Sequence, residues 1–379
     1  MKANKYRIHP NTEQMEKLSI QFGCARFVYN DALAKKRDFW NSGAYNISRF
    51  ELQAMLKTMK QDLDTVWLKK AHSQVLQSAL LNLDKAFTNF FQGRAKFPRF
   101  KKKNQKQSIQ YPQSVKIESD KIYLPKVGWV KCVVHRQFEG KVKTVTISKS
   151  PSGKYYASVL IDNGLVEAKP IKHIEKVVGL DMGIHDFIAD SHGNKTPNPR
   201  FLNKQLSNLK RKQQNLSRTK KGSKGRANAR LLVAKAHEKV AFARNDFQHK
   251  LSKILADENQ AVVVEDLNIK GMTKNRKLAR HIQDLGWHGF SAKLGYKLKA
   301  QGKHLVKIDR WYPSSKTCSC CGHKQETMPL NIRNWQCQCG AIQDRDVNAA
   351  NNIANQGIIK LKADGYTVSA SGGMRKSCE

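Results

Sequence analysis

The sequence predicts an α+β chain with more than one domain, and three observations lead to that fold class. The chain has 379 residues, and at about 150 residues per domain this length corresponds to two or three domains. Its hydrophobic pattern changes from the period of a helix to that of a strand and back along the chain. Five of its eight cysteines lie between residues 318 and 339, which is typical of one metal cluster rather than of a disulfide-rich secreted scaffold.

The charge of the chain indicates a polyanionic partner. Lys and Arg number 69 against 30 Asp and Glu, which gives a net charge of +39. Such a charge repels itself unless nucleic acid or another polyanion neutralises it, so an enzyme of small metabolites is excluded. At 40% hydrophobic residues, global disorder is not expected. No secretory signal or membrane-length apolar run is present, which predicts a cytoplasmic protein, with no membrane partner, that associates with the nucleoid in use.

Residues 11–95 are predicted to be helical. Asn11 with Gln14, and Ser48 with Glu51, have the spacing of capping boxes. The clearest helix is predicted over 71–91, where apolar residues recur every three or four positions and indicate a core-facing stripe. The members of this stripe are Leu76, Leu80, Leu83, Phe87 and Phe90.

Residues 105–162 alternate between apolar and polar positions, which predicts several short strands in a small barrel or sandwich. The segment 97–107 before them is basic and flanked by aromatic residues, and it is interpreted either as a solvated run of charge or as a phosphate-contacting loop. A strand, a tight turn and a second strand are expected over 170–195. Residues 199–252 are expected to form two helices joined by a loop over 218–230.

The segment from Arg200 to Lys250 carries 15 Lys and Arg against two acids. A solvated helical hairpin usually mixes its charges, so this surface is predicted to face a polyanion. A buried strand over 261–269, a helix over 278–301 and a strand over 304–309 follow. A helix is predicted to begin near residue 344, and the Gly- and Ser-rich tail after 360 is predicted to be flexible.

Three acids lie beside apolar elements, where a carboxylate is costly unless a cation compensates it. Asp181 follows a predicted strand, Glu265 ends another, and Asp346 lies where a helix begins. Converging carboxylates suit Mg²⁺ or Mn²⁺, and two such ions about 3.5–4 Å apart can hydrolyse a phosphodiester. This order of elements is expected of an RNase H-like nuclease core. Alternatively, Asp346 is only a favourable charge at a helix N-terminus, and Glu265 only ends its strand in water.

Other acids compete for these roles or support them. Asp344 is an alternative to Asp346 as the third member. Asp186, Asp266 and Asp284 are interpreted as structural or supporting acids.

The cysteine cluster predicts a structural zinc ribbon. Cys318 and Cys321 precede Gly322, and Cys337 and Cys339 precede Gly340. Two Cys pairs, each followed by glycine, have the spacing of a four-thiolate zinc site, which is closed and carries no chemistry. Cys320 is an alternative to Cys321, and His323 is a further candidate ligand.

Together these motifs resemble the TnpB family, the transposon-encoded relatives of type V CRISPR effectors. The resemblance rests on GLDMG, VVVEDLN, SSKTCSCCGH…WQCQCG and DRDVNAANNI. It extends to IHPNTEQMEKL…FGCARFVYNDAL and to the block from LQSALLNLDKAFTNFF through FPRF to LPKVGW. It covers nearly the whole chain except the tail after about 360. One departure is Gln343, at a position where the family often has His, which is expected to alter the local ribbon or metal geometry without abolishing cleavage.

The resemblance implies an RNA-guided DNA endonuclease. A transposon-derived guide RNA would bind a single copy of the chain, and the protein would recognise a short motif beside a double-stranded DNA target. A RuvC-like site with Mg²⁺ would then cleave the DNA, with Asp181, Glu265 and Asp346 as catalytic metal ligands. Two alternatives are a nuclease-inactive RNA-guided repressor, which should have lost at least one acid, and a transposase-type strand-transfer protein. The pattern gives only weak support to the idea that the N-terminal helices form a helix-turn-helix that binds DNA.

The resemblance also implies an architecture, a β-barrel wedge with an inserted helical recognition lobe and a RuvC nuclease with an inserted zinc ribbon. The implied bounds are 1–20 and 96–170 for the wedge, 21–95 for the lobe, 171–310 and 341–360 for the nuclease, 311–340 for the ribbon, and 361–379 for a flexible tail. By position in the family, Gln77 would contact the target-adjacent motif, with Tyr111 and Gln113 as weaker candidates. Alternatively, Gln77 is a surface amide on a helix, Tyr111 a core aromatic and Gln113 a loop amide. The basic residues predicted to contact nucleic acid are Lys101, Lys102, Lys210, Arg211, Lys220 and Lys221.

Overall fold

The computed structural model of the chain describes residues 1–43, 47–104, 106–164, 168–329 and 331–369. The chain divides into two compact units, residues 1–165 and 166–379. Each unit has its own sheet and its own hydrophobic core. In the described part of the chain, no helix combines the length and the apolar character that a membrane span requires.

The first unit is a seven-stranded sheet with helices between its first two strands. Its elements are β1 (Lys2–His9), α1 (Thr12–Asn41), α2 (Arg49–Met59), a 3-10 helix (Val66–Lys70), α3 (Ser73–Phe91), β2 (Gln107–Tyr111), β3 (Lys116–Ile117), β4 (Lys121–Leu124), β5 (Gly128–Val133), β6 (Lys141–Lys149) and β7 (Tyr155–Asp162). The strand order is β2-β6-β7-β1-β5-β4-β3, and every pair is antiparallel. The predicted strands are confirmed, but the described strands leave β2 and β3 as unpaired edges rather than closing a barrel by hydrogen bonds.

The predicted helix starts of the first unit are confirmed. The Asn11 and Ser48 side chains each accept from the N3 backbone N–H, and Gln14 and Glu51 bond back to the cap. Leu76 and Leu80 of α3 are buried in one core with α1 and the sheet. The domain boundary expected between the wedge (1–20) and the recognition lobe (21–95) falls inside α1, because this helix runs without a break from Thr12 to Asn41.

The second unit is built on a mixed five-stranded sheet. Its elements are β8 (His173–Ile174), β9 (Val177–Asp181), β10 (Asp186–Asp190), β11 (Lys195–Pro197), α4 (Phe201–Arg218), α5 (Lys224–Glu258), β12 (Ala261–Glu265), α6 (Ile269–Met272), α7 (Arg276–Leu285), α8 (Trp287–Ala300), β13 (His304–Ile308), β14 (Asn334–Gln336), β15 (Ile342–Asp344), α9 (Arg345–Ala363) and β16 (Thr367–Val368). The strand order is β11-β10-β9-β12-β13, in which β9, β12 and β13 are parallel.

Three expectations for the second unit need correction. The single helix expected over 278–301 is two helices, because Gly286 takes a left-handed conformation (φ 63°, ψ 38°) that ends α7 and begins α8. The loop expected over 218–230 shortens to 219–223, because Ser223 caps α5 there. The tail expected to be flexible from 361 is ordered to residue 369, since α9 continues to Ala363 and β16 pairs with β8. Residues 370–379 lie outside the described part of the chain.

Helix α9 lies directly against the sheet at two glycines. A side chain at Gly179 of β9 would collide with the backbone of Ala350 and Ala354, and a side chain at Gly357 would collide with Val263 of β12. The absence of a Cβ at both positions therefore lets the helix approach the two central strands closely. This approach fixes the N-terminal end of α9 relative to the strand ends.

Candidate functional site

Two of the predicted acids end neighbouring parallel strands. Leu180 of β9 pairs with Val264 of β12, so the next residues in register are Asp181 and Glu265. Neighbouring strands lie about 4.8 Å apart, and residues in register on parallel strands point to the same face. The strand order therefore brings together two acids that are 84 positions apart in sequence.

The third acid reaches the same edge from α9. Ala350, one turn after Asp346, lies against Gly179 of β9, and Asp346 is in the first turn of the helix. The carboxylates of Glu265 and Asp346 are close enough to act electrostatically on Asp181. The structure thus puts Asp181 and Glu265 at neighbouring strand ends and Asp346 within electrostatic range of Asp181.

The electrostatics of this cluster favour a bound cation. Burial, followed by repulsion from Glu265 and Asp346, raises the pKa of Asp181 to about 7, although Arg345 and Arg333 oppose the shift. Burial also raises the pKa of Glu265, and a hydrogen bond from Ser314 partly offsets it. A divalent cation would relieve both the desolvation and the repulsion, and oxygen-only ligands suit Mg²⁺ or Mn²⁺.

Asp346 and Asp344 differ in what they contact. Asp344 is the N-cap of α9, where its Oδ1 accepts from the N–H groups of Asp346 and Val347, and its Oδ2 lies 2.7 Å from Lys195 Nζ. Although burial raises the pKa of Asp344, the bonds from Lys195 and the Val347 N–H outweigh it and hold the pKa below its usual range. Among the described contacts Asp346 makes no such cap; its carboxylate lies 3.2 Å from Arg333 and 4.0 Å from Lys195 and acts electrostatically on Asp181. The cap commits Asp344 to the fold, and the proximity of Asp346 to Asp181 favours Asp346 as the third cation ligand.

The remaining acids have structural partners. Asp266 pairs with Lys307 and Arg310 at the surface. Asp284 binds Arg244 and accepts from the backbone N–H of Leu202. These contacts agree with the supporting role that the sequence suggested. Asp186 contacts His185, and its charge contributes to raising the pKa of Lys195. It therefore lies at the margin of the acid cluster.

Four thiols form a second cluster in the second unit. The sulfurs of Cys318, Cys321, Cys337 and Cys339 all lie within 4.8 Å of one another. Cys318 Sγ is 3.9 Å from Cys339 Sγ, and Cys321 Sγ is 3.6 Å from Cys337 Sγ. Four sulfurs about 2.3 Å from one Zn²⁺ would be about 3.8 Å apart in a tetrahedron, so the cluster fits that ion.

The contacts around the thiols indicate which of the alternative zinc ligands, Cys320, Cys321 or His323, fits the cluster. Cys320 is not a member of the described cluster. The backbone N–H of His323, rather than its ring, approaches Cys321 Sγ at 3.4 Å, and this contact lowers the pKa of the Cys321 thiol to about 7. Gln343, at the departure from the family pattern, points its Nε2 at Cys318 Sγ at 3.7 Å. The geometry favours Cys321 over Cys320 and leaves no ligand role for the His323 ring.

Two buried asparagines of α9 hold the segment that leads into the thiol cluster. Asn348 Nδ2 donates to the carbonyl oxygen of Thr317 at 2.8 Å, and Asn352 Nδ2 donates to that of Ser314 at 2.9 Å. Asn348 Oδ1 accepts from the Ser319 N–H at 2.8 Å. The helix that carries Asp346 therefore also anchors the segment that precedes the thiol cluster.

The predicted nucleic-acid residues differ in exposure. Gln77 on α3 and Gln113 after β2 are exposed and free to meet a ligand. Tyr111 is fully buried, because β2 alternates and turns Ile109 and Tyr111 into the core of the first unit. The expectation that Tyr111 contacts nucleic acid is therefore wrong for this conformation, and its interpretation as a core aromatic is correct.

The basic residues lie in two places. In the first unit, Asn30 bonds both the N–H and the carbonyl oxygen of Lys101, whose ammonium stands 3.9 Å from the centre of the Tyr29 ring, and Lys102 is exposed. In the second unit, the charged residues Lys210, Arg211, Lys220 and Lys221 are exposed on α4 and on the short connection to α5. We call α4, this connection and α5 (residues 201–258) the basic hairpin.

The sequence did not reveal the residues that contact the acids or hold the backbone beside them. These are Ser314, Arg333, Lys195, Asn348 and Asn352. Asn348 and Asn352 gave a signal, since their spacing of four places two amides on one face of a helix. Ser314 and Arg333 gave none, because their partners lie 49 and 13 residues away across loops.

Family models match three parts of the chain. Residues 158–276 match OrfB_IS605, described as "Probable transposase". Residues 287–353 match the TNB domain of Cas12f1-like proteins. Residues 1–44 match a helix-turn-helix domain of OrfB_IS605 proteins, although residues 1–43 form one strand and one unbroken helix rather than two helices and a turn.

Comparisons with whole proteins cover most of the chain. It is 38% identical to a Streptomyces pristinaespiralis protein named "Putative RNA-guided DNA endonuclease", over 94% of this chain and 89% of the relative. It is 32% identical to an Escherichia coli K12 protein named "Putative RNA-guided DNA endonuclease InsQ", over 100% and 95%. Its fold is similar to that of Cas12f1 in a complex with guide RNA and target DNA, with a TM-score of 0.56, 16% identity, and coverage of 90% and 82%. With its motifs, its fold and these relatives, the chain belongs to the TnpB family.

Proposed function

We propose that the chain is a transposon-encoded, RNA-guided DNA endonuclease. The observation that carries this function is the convergence of Asp181, Glu265 and Asp346 on one edge of the sheet, in a chain of this family. A nuclease-inactive, RNA-guided repressor is the less favoured alternative, because all three acids are present and Glu265 and Asp346 both act electrostatically on Asp181.

The architecture proposed for this function follows the family. The seven-stranded sheet would act as the wedge and the helices α1 to α3 as the recognition lobe. The five-stranded sheet with α9 would be a RuvC-like, RNase H-like nuclease. The thiol cluster would hold a structural Zn²⁺ in the inserted ribbon, with Cys318, Cys321, Cys337 and Cys339 as ligands.

The three carboxylates would bind Mg²⁺ or Mn²⁺. The bound ions supply charge neutralisation and water activation for phosphodiester hydrolysis. Asp181 and Glu265 present oxygens from rigid strand ends, and Asp346 presents its oxygens from a helix fixed against the same strands. Ser314 would fix the orientation of Glu265. The helix cap and Lys195 engage both oxygens of Asp344, whereas Asp346 would exchange its contact with Arg333 for the cation.

The basic surfaces would bind the nucleic acids. With +39 charges on the chain, phosphate contacts would supply most of the affinity for a transposon-derived guide RNA and for its duplex with DNA. Base pairing with the guide would choose the target, and Gln77 and Gln113 would contact the target-adjacent motif. The functional form would be one chain with its RNA, in the cytoplasm and at the nucleoid.

One experiment tests the function as a whole. The chain is expressed with the DNA that flanks its gene, and the RNA that co-purifies is sequenced. The complex is then incubated, with Mg²⁺, with plasmids that carry the guide-matching sequence beside randomised bases. We expect one discrete RNA and linear plasmid only where the guide matches. Glu265→Gln, which keeps the shape of the side chain, should bind the target without cutting it.

The transposase description of one matching family model keeps strand transfer as a second candidate. Strand transfer joins a DNA 3′-hydroxyl to a new strand, whereas hydrolysis leaves free ends. Joined products in place of linear plasmid, or cleavage that ignores the guide sequence, would overturn the proposed endonuclease.

A further inference from the structure

Ser314 makes a direct contact with the candidate metal site. Its Oγ donates a hydrogen bond of 2.6 Å to Glu265 Oε1. Ser314 is only 5% exposed, so water does not readily replace this bond. A hydrogen bond to an ionised carboxylate is about twice as strong as a neutral one. Ser314 therefore fixes one oxygen of Glu265, while the described contacts of the chain leave Oε2 available for a cation.

Ser314 is itself held from behind by α9. Its carbonyl oxygen accepts from Asn352 Nδ2 at 2.9 Å and from Asn348 Nδ2 at 3.5 Å. Asn348 and Asn352 are 0% and 3% exposed, and both donate to Thr317 as well. Because buried amides cannot exchange these partners for water without cost, the backbone of residues 314–319 has one preferred position.

The same segment contains the first ribbon cysteine. Cys318 belongs to the four-thiol cluster, and the Ser319 N–H binds Asn348 Oδ1 at 2.8 Å. The two ends of residues 314–319 thus contact different sites, Glu265 at one end and the thiols at the other. The two asparagines bind both ends of this segment and so hold Ser314 and the backbone next to Cys318 in one arrangement.

We propose that Ser314 is a positioning residue of the nuclease, which orients Glu265 toward the catalytic cation from a segment that the ribbon and the two α9 asparagines hold in place. This inference rests on the proposed function, and it assigns the ribbon a role at the acid cluster in addition to its own stability. Groups that orient a metal ligand commonly change metal affinity or activity by 10–100-fold when they are removed. Ser314→Ala should accordingly act on the cation requirement rather than on nucleic-acid binding.

The test compares Ser314→Ala with Ser315→Ala. Ser315 is the next residue of the same segment, and its side chain has no hydrogen bond to another described residue, which makes it a matched control. In the chain–RNA complex, we expect Ser314→Ala to raise the Mg²⁺ concentration for half-maximal cleavage about tenfold. Ser315→Ala should match wild type. Target binding measured in Ca²⁺ should be the same for all three proteins.

A second measurement does not depend on cleavage. Mn²⁺ binding to the zinc-loaded, RNA-free chain is followed by electron paramagnetic resonance, and Ser314→Ala should bind Mn²⁺ about tenfold more weakly than wild type. If wild type fails to cut guide-matched DNA, the proposed function fails and this measurement still decides the role of Ser314. If wild type cuts and Ser314→Ala equals wild type in both measurements, the positioning role is overturned and the endonuclease stands.

Correct folding is verified by zinc content and by the thermal unfolding midpoint. If Ser314→Ala fails that check, Ser314→Thr and Ser314→Val replace it, because they have nearly the same shape and only Thr keeps the hydroxyl. The Thr variant should need less Mg²⁺ than the Val variant. Equal requirements for the two variants would contradict the inference.

Discussion

Arg333, directly before β14, reaches Asp346 of α9, with its Nη1 3.2 Å from both carboxylate oxygens. The guanidinium is about half exposed, whereas the carboxylate is mostly covered. Arg333 thus contacts both oxygens of a carboxylate that is proposed to bind a cation. The arginine and the cation compete for the same ligand.

This competition predicts that Arg333→Ala binds Mn²⁺ more tightly than wild type does. The cation then no longer displaces a guanidinium, so the dissociation constant for the RNA-free chain should fall severalfold. Electron paramagnetic resonance measures it directly. Arg310→Ala removes a similar guanidinium that binds Asp266 instead, and it should have no effect. Weaker Mn²⁺ binding by Arg333→Ala would show that the arginine supports the site rather than competes for it.

The second prediction is that Asp181→Asn stabilises the metal-free chain while it removes cleavage. Burial and the neighbouring Glu265 and Asp346 disfavour the ionised carboxyl, and an amide carries no charge. In zinc-loaded protein at pH 8 without added Mg²⁺ or Mn²⁺, the variant should unfold at a higher temperature than wild type. Asp266→Asn is the control with the opposite sign, because the hydrogen bond from Lys307 lowers the pKa of Asp266 and its charge is favourable.

The pH dependence of this effect has a definite sign. The pKa of Asp181 is about 7 in the folded chain, above its value of about 3.9 in an unfolded chain. The folded state therefore binds more protons between about pH 4 and pH 7, and the stability of the metal-free wild type falls as pH rises through that window. The difference in unfolding temperature between Asp181→Asn and wild type should widen from pH 4 to pH 7 and then stay constant. A difference that is independent of pH would refute the assignment.

The third prediction concerns the thiol cluster. Cys318→Ser should lower the zinc content below one ion per chain and lower the unfolding temperature, because a structural zinc contributes directly to folding. Cys320→Ser should keep one zinc, since Cys320 lies outside the described cluster. Elemental analysis and thermal unfolding measure both effects. Full zinc occupancy in Cys318→Ser, or its loss in Cys320→Ser, would contradict the ligand set.

The fourth prediction is that Gly357→Ala destabilises the second unit. A Cβ at this position would collide with the side chain of Val263 in β12, and overpacking of this kind costs about 1–3 kcal/mol. Gly225→Ala in α5 is the matched control, because its Cβ would meet only Ser223 Oγ at 3.8 Å. The control should be neutral or more stable by up to about 1 kcal/mol. Denaturant unfolding measures both, and equal stability of the two variants would argue against the close packing of α9.

The fifth prediction concerns the basic hairpin. Replacing Lys210, Arg211, Lys220 and Lys221 by Ala should weaken binding of the co-purifying RNA and flatten its salt dependence. Each lost phosphate contact reduces the slope of log K against log salt by about 0.7, so four contacts would remove roughly 3. Lys250→Ala with Lys253→Ala serves as the control, because these amines pair with Asp246 and Asp257. An unchanged slope in the fourfold variant would locate the RNA elsewhere.

The sequence by itself determined the local features of this protein. The capping boxes at Asn11 and Ser48, the alternating strands of the first unit and the start of α9 follow from neighbouring residues, so the pattern was sufficient to predict them. The cysteine spacing predicted the thiol cluster for the same reason. A weak local signal led to a wrong prediction at Gly286. This single residue in the left-handed conformation ends α7, so the helix predicted over 278–301 is two helices.

Tertiary structure decided what depends on contacts between distant residues. The sequence placed Asp181 and Glu265 at strand ends, but only the parallel register of β9 and β12 made them neighbours. It left Asp344 and Asp346 as alternatives, and the cap that Asp344 forms on α9 separates them. It gave no sign of Ser314, since a hydrogen bond across 49 residues leaves no periodic trace. Tyr111 was open to two interpretations, because an aromatic residue at the end of a strand suits a surface or a core, and burial depends on which face the other elements cover.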